Sequence, residues 1–182
     1  IDIHEKYGSA NIDVWTNELL QPKAGMKILD VGCGAGKLSF LFNEYTKGGA
    51  QITGGDFSNE LLDKAREKNK QVSANIDFQF LDFNKPFNFP DNTFDLCTSA
   101  FAIYYAPDLD FTFGEAHRVL RSPDAVSGKP GGRLFVSGPL PENKQMFYDI
   151  IKEAANVTIP PMPGSSRFKG DIFNTIDRIF AK

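Results

Sequence analysis

Residues 27–36 read Lys27-Ile28-Leu29-Asp30-Val31-Gly32-Cys33-Gly34-Ala35-Gly36. The first five form a short apolar run closed by glycines, the pattern of a strand buried on both faces of a parallel sheet. Beyond Gly36, Leu38, Leu41, Phe42 and Tyr45 recur at helical spacing until Gly48-Gly49 stops them. The stretch is therefore a strand, a glycine turn and a helix, and glycines at that junction let a ligand approach the backbone closely.

The same unit returns downstream. Residues 51–56 read as a strand, Ser58 caps a helix, and Leu61, Leu62 and Ala65 give the charged segment after it an apolar stripe. Two such units imply a parallel sheet. Residues 76–81 and 94–99 are further strands, separated by a turn-rich segment with Pro86, Pro90 and Asp91-Asn92. Residues 110–120 read as a helix, 133–137 as a fifth strand after Gly131-Gly132, and 143–155 as a helix carrying Met146, Phe147, Ile150 and Ile151. A last helical pattern covers 172–180. Two stretches rich in turn formers, 122–130 and 159–170, read as surface loops. The alternation predicts a doubly wound α/β fold with helices on both faces of a mostly parallel sheet. Its ligand belongs at the carboxyl ends of the strands, where strand order reverses.

A chain of 182 residues, 41% hydrophobic, has enough apolar mass for one core, so a single domain over 1–182 is expected. The net charge of -3 is spread over 20 basic and 23 acidic residues without a basic block, which argues against a nucleic-acid partner. The two cysteines, Cys33 and Cys97, fall in apolar segments with neither disulfide nor zinc spacing, so no metal is expected and a reducing, cytoplasmic setting fits. No run approaches the roughly 18 apolar residues of a membrane helix, and no membrane partner is expected.

The glycines follow G-x-G-x-G; Lys37 stands where the dinucleotide fingerprint G-x-G-x-x-G has its third glycine. About 20 residues on, the second strand ends at Asp56, whose carboxylate suits the two hydroxyls of a ribose. Asp82, after the third strand, suits an exocyclic adenine amino group. Three strand ends then converge on one nucleoside. Of the two histidines, His117 reads as a structural residue on a helix and His4 as solvated, so the catalytic residues stay unassigned.

Residues 28–40, Gly54-Gly55-Asp56-Phe57-Ser58, the segment 89–95 (Phe-Pro-Asp-Asn-Thr-Phe-Asp), Glu115-Ala116-His117-Arg118-Val119-Leu120 and Pro130-Gly131-Gly132-Arg133-Leu134 stand in the order of the motifs of class I S-adenosylmethionine-dependent methyltransferases. The chain resembles that family over residues 7–137. The resemblance implies a Rossmann-like fold with S-adenosyl-L-methionine as cofactor. Gly32, Cys33 and Gly34 would present backbone to the methionine half, and Asp30 would support its amino end. Asp56 would hold the ribose, Phe57 would pack on adenine, and Asp82 and Phe83 would grip its edge. The Ser99 backbone would face the sulfonium, and Tyr7, in a cap formed by 1–25, would reach the methionine carboxylate. Residues 26–137 would be the cofactor core and 138–182 the acceptor side.

Tyr104 and Tyr105, following the fourth strand, are the substrate-facing candidates, each with an apolar face and a polar tip. The 160–167 loop and the region of Trp15 are the expected seats of specificity. The implied acceptor is a small-molecule metabolite. This sequence departs from the family pattern in the long 121–130 connection and in the absence of a final antiparallel strand pattern after Ala155, which suggests a piece of a longer protein. Two other readings compete: a cofactor-binding subunit without catalysis, suggested by that ending and the missing base, and a nicotinamide-dependent dehydrogenase, disfavoured by the glycine spacing and Asp82.

Overall fold

The computed structural model describes residues 12–140, 145–158, 160 and 163–180. Helix α1 (Ile12–Leu20) precedes β1 (Lys27–Val31). The glycine turn then leads to α2 (Lys37–Tyr45), β2 (Gln51–Asp56), α3 (Asn59–Gln71) and β3 (Ile76–Phe80). After the turn-rich connection come β4 (Leu96–Ala100), a 3-10 turn (Ile103–Tyr105), α4 (Leu109–Val119) and β5 (Arg133–Ser137). Then follow α5 (Gln145–Ala155), α6 (Pro163–Arg167), a π-helical turn (Phe168–Ile172) and α7 (Phe173–Phe180).

The strands lie in the order β3-β2-β1-β4-β5, and every pairing is parallel. Because side chains alternate along a strand, β1 feeds two cores. Ile28 joins Phe42 of α2 and Leu62 and Ala65 of α3 on one face, while Leu29 and Val31 join Ala116 and Val119 of α4 on the other. Helices cover both faces, as the alternation predicts. The chain runs outward in one direction from β1 to β3 and in the other from β4 to β5, so the crevice opens above β1 and β4.

Local chemistry fixes the helix starts. The Ser58 hydroxyl accepts from the Leu61 amide at 3.3 Å, and the Asp108 carboxylate caps α4 through the Phe111 amide at 3.0 Å. At the amino ends of the strands, Asp95 accepts from the Lys27 amide at 2.8 Å and pairs with Arg121. The Phe94-Asp95 part of the 89–95 motif thus fastens the end of the sheet remote from the crevice.

Two expectations are corrected. Phe94 lies outside β4 and forms an isolated bridge with Leu120, so the strand starts at Leu96. The 159–170 stretch, expected as a surface loop, becomes helical from Pro163, with Ser165 and Phe168 buried and the adjoining Ile172 buried beside them. Its turn-forming composition is overridden because Phe168 and Ile172 bury their side chains against Ile103, Leu109 and Phe113. The 122–130 stretch is exposed throughout, as expected, and is closed by an Asp124–Lys129 bridge. Among the described residues, no helix is long and apolar enough to cross a membrane.

Candidate functional site

Gly32, Gly34 and Gly36 all have positive φ, at 73°, 55° and 83°. The turn they form curls over the end of β2: the Gly32 and Cys33 amides donate to the Gly55 carbonyl at 2.7 and 3.0 Å. Asp56, the last residue of β2, then accepts from the Gly34 amide at 2.7 Å through Oδ2 and from the Ser58 amide at 2.8 Å through Oδ1. One carboxylate locks the turns that follow two adjacent strands. Beside it the Phe57 ring is 64% exposed and stands 5.4 Å from Phe80, itself 47% exposed. Two aromatic faces in water next to an anchored carboxylate form a surface suited to a flat ring bearing hydroxyls.

Past β3, Asp82 closes its own turn, accepting from the Asn84 amide and side-chain amide, both at 2.9 Å. Those hydrogen bonds hold its carboxyl below the usual range. Phe83 and Ala102 press on the glycine turn from above. A β-carbon on Gly32 would lie 3.5 Å from the Phe83 ring and only 2.2 Å from the Ala102 β-carbon. Phe101, just before Ala102, is half exposed with φ 55° and donates its amide to Ser137 at 2.8 Å.

Asp30 does not line the crevice. It is buried beneath the turn, accepting from the Ser39 hydroxyl of α2 at 2.7 Å and the Thr98 hydroxyl of β4 at 3.0 Å. Loss of hydration raises its pKa from 3.8 to about 6, against the lowering effect of those two hydroxyls. A carboxyl whose folded pKa lies above its unfolded value contributes stability at low pH, and that contribution disappears as pH rises through the folded pKa. Stability should therefore fall by about 2 kcal/mol between pH 4 and pH 6 on this account. Asp30→Asn should flatten that window, as denaturant midpoints at pH 4, 5, 6 and 7 would reveal; an unchanged pH slope in the variant would contradict the assignment.

The other expected site residues divide sharply. Cys33 is buried, and burial pushes its thiol pKa up, so it acts as a small packing residue. Ser99 is fully buried, and its hydroxyl has no hydrogen-bond partner among the described residues. Tyr104, expected to face substrate, is instead 6% exposed, with its ring against Gly138 and Gly164. Burial and the neighbouring Tyr105 hydroxyl raise its phenol to about 12, so it stays protonated. Tyr105 is 69% exposed and remains at the rim, 4.5 Å from the Tyr104 ring. His117 is exposed on α4 with its ring edge on Phe180 at 5.1 Å. Tyr7, His4 and the rest of residues 1–11 of the expected cap lie outside the described residues.

Sequence reading missed Phe80, Ala102 and the Asp30 partners Ser39 and Thr98. Phe80 carries a weak signal, a large apolar residue where β3 emerges from the cover of α3. Thr98 carries none, because Asp30 and Thr98 are brought together only by the β1–β4 register.

A family model described as a methyltransferase domain matches residues 22–155. The ubiquinone/menaquinone biosynthesis C-methyltransferase UbiE of Desulfotalea psychrophila is 34% identical over 140 residues, covering 76% of this chain and 51% of that protein. The demethylmenaquinone methyltransferase of Listeria welshimeri is 34% identical over 137 residues, 72% of this chain and 54% of its own. The chain spans about half the length of these relatives. An S-adenosylmethionine-dependent methyltransferase from Mesorhizobium loti, known from a crystal structure, superposes with a TM-score of 0.57 at 26% identity, over 71% of this chain and 55% of that one. With its five parallel strands, G-x-G-x-G turn and carboxylate at the end of β2, the chain belongs to the class I S-adenosylmethionine-dependent methyltransferase family.

Proposed function

We propose that this domain binds S-adenosylmethionine above β1 and β4 and directs its methyl group to a small-molecule acceptor. The observation that carries the proposal is the Asp56 carboxylate, fixed by the Gly34 and Ser58 amides beside the exposed Phe57 ring. This donor and acceptor set fits an adenosine: two carboxylate oxygens for the ribose hydroxyls, and the Phe57 and Phe80 faces for the base. Asp82 and Phe83 take the adenine edge. The backbone of Gly32, Cys33 and Gly34 takes the methionine half, with Asp30 bracing the turn from below. The Ser99 backbone faces the sulfonium, and Tyr7 takes the methionine carboxylate. Residues 26–137 form the cofactor core, and 138–182 contribute to the acceptor side.

When bound, S-adenosylmethionine supplies a methyl group on a positively charged sulfur, open to in-line attack by an acceptor atom. The residues of this chain contribute binding, alignment and exclusion of water, which can supply much of the acceleration. Phe83 and Ala102 wall the crevice above the turn, and the exposed Phe101 and Tyr105 offer apolar surface at its rim. The relatives' names describe C-methylation in ubiquinone and menaquinone biosynthesis. We carry that chemistry to this chain as transfer to a carbon atom of a quinone-class metabolite.

Calorimetric titration with S-adenosylmethionine, S-adenosylhomocysteine and NAD in parallel tests the cofactor. Binding of the first two without NAD is expected; NAD alone would overturn the reading. Transfer of labelled methyl to a demethylated quinone tests the acceptor. Binding without transfer to any acceptor in a broad extract screen would leave a cofactor-binding module instead.

A further inference from the structure

The loop that carries Asp82 is held from outside the crevice. Glu115 and Arg118, one helical turn apart on α4, form a two-point ion pair with contacts of 2.7 and 2.8 Å. Together they grip the backbone of Phe87 at both polar groups: the Phe87 amide donates to Glu115 Oε2 at 2.6 Å, and Arg118 Nη2 donates to the Phe87 carbonyl at 2.9 Å. Arg118 Nη1 also donates to the Phe89 carbonyl at 2.8 Å and to Asp91 at 2.6 Å. Arg118 keeps its charge, since its carboxylate partners push its pKa up, and Glu115 is held below the ordinary carboxylate range. Earlier on the same helix, the Thr112 hydroxyl shares its one proton between the Asp108 carbonyl at 2.8 Å and the Phe83 carbonyl at 3.3 Å. Helix α4 thus fastens both flanks of the turn that holds Asp82. A recess of about 120 Å³ lies between these points, lined in part by Phe80, Asp82, Lys85 and Phe87.

A surface ion pair alone contributes little, but this one satisfies three backbone groups of a connection with no regular structure of its own. Without it the 86–91 segment would exchange those bonds for water, and the turn that carries Asp82 would be tied to β2 only on its leading side, through the Leu81 amide and the Asp56 carbonyl at 3.0 Å. A charged acceptor discriminates between ligands only when it is held in place.

We propose that Glu115 and Arg118 are positioning residues for adenine recognition, acting as one charged clip on Phe87 that sets the place of Asp82 in the crevice. The proposal rests on the cofactor reading given above. S-inosylhomocysteine, which carries a ring carbonyl where adenine has its amino group, turns the hydrogen bond to Asp82 into a repulsion. The unaltered protein should therefore prefer S-adenosylhomocysteine over it by at least about tenfold. In Arg118→Met and in Glu115→Gln that preference should shrink to about threefold or less, with Arg118→Lys intermediate because an ammonium cannot serve both carbonyls in the same fork geometry. Titration calorimetry with both nucleosides reads the ratio, and thermal unfolding confirms that each variant compared is folded. A purely structural role lowers the melting temperature and leaves the ratio intact; an intact ratio in folded Glu115→Gln or Arg118→Lys overturns the proposal. Failure of the unaltered protein to bind S-adenosylhomocysteine would instead overturn the cofactor reading, and with it this one.

Discussion

Gly32→Ala is expected to destabilise the domain by about 2–5 kcal/mol and to remove cofactor binding from the fraction that folds. Two independent costs add. The backbone at Gly32 has φ 73°, a region that costs an L residue on the order of 1–2 kcal/mol. The new methyl would also stand 2.2 Å from the Ala102 β-carbon, so the segment after β4 must move, and forced overpacking of this kind typically costs ~1–3 kcal/mol. The displacement falls between the glycine turn and the end of β4, where the methionine half of the cofactor is proposed to lie. The double variant Gly32→Ala with Ala102→Gly separates the costs. It should recover the steric part of the lost stability and keep the backbone part, so the two substitutions are strongly non-additive in a denaturation cycle. Strict additivity would mean that Ala102 is not the neighbour that matters.

Asp56→Ala should weaken binding of S-adenosylhomocysteine by about ten- to hundredfold, corresponding to ~1.5–3 kcal/mol for a charged hydrogen-bond acceptor. The side chain has two tasks. It offers its oxygens to the proposed ribose, and it already joins the Gly34 and Ser58 amides at 2.7 and 2.8 Å. The alanine variant should therefore lose some stability as well, through two amides left to water. Asp56→Asn separates the tasks: its single carbonyl can satisfy one amide, whereas its amino group meets the other donor face on. Intermediate stability with affinity close to that of the alanine variant is the expected pattern, measured by calorimetry beside thermal unfolding. Unchanged affinity in both variants would remove Asp56 from the site.

These two positions were legible in the amino-acid sequence because each is dictated locally. Gly32 stands where a buried apolar run must turn sharply into a helix, and Asp56 ends the next run of the same kind. Phe57 belongs to the same strand end and was legible for the same reason. Tyr104 was not. Its neighbour Tyr105 has the same chemistry, and only the packing of Phe168 and Ile172 from a segment more than sixty residues away decides that Tyr104 is buried while Tyr105 remains at the rim. The 159–170 segment failed in the same way, since its prolines, glycines and serines spoke for a loop until α4 offered its apolar side chains a surface.

By itself the sequence determined the strand-turn-helix order, the parallel sheet, the glycine turn and the carboxylate that ends β2, since apolar periodicity and backbone constraint act over a few residues. Only the tertiary structure decided that Asp30 is buried between Ser39 and Thr98, that Ala102 covers Gly32, and that Glu115 with Arg118 holds the Asp82 loop. Those contacts depend on strand register and on how helices seat against the sheet. Both are settled by the packing of the whole core, so no short stretch of sequence contains them.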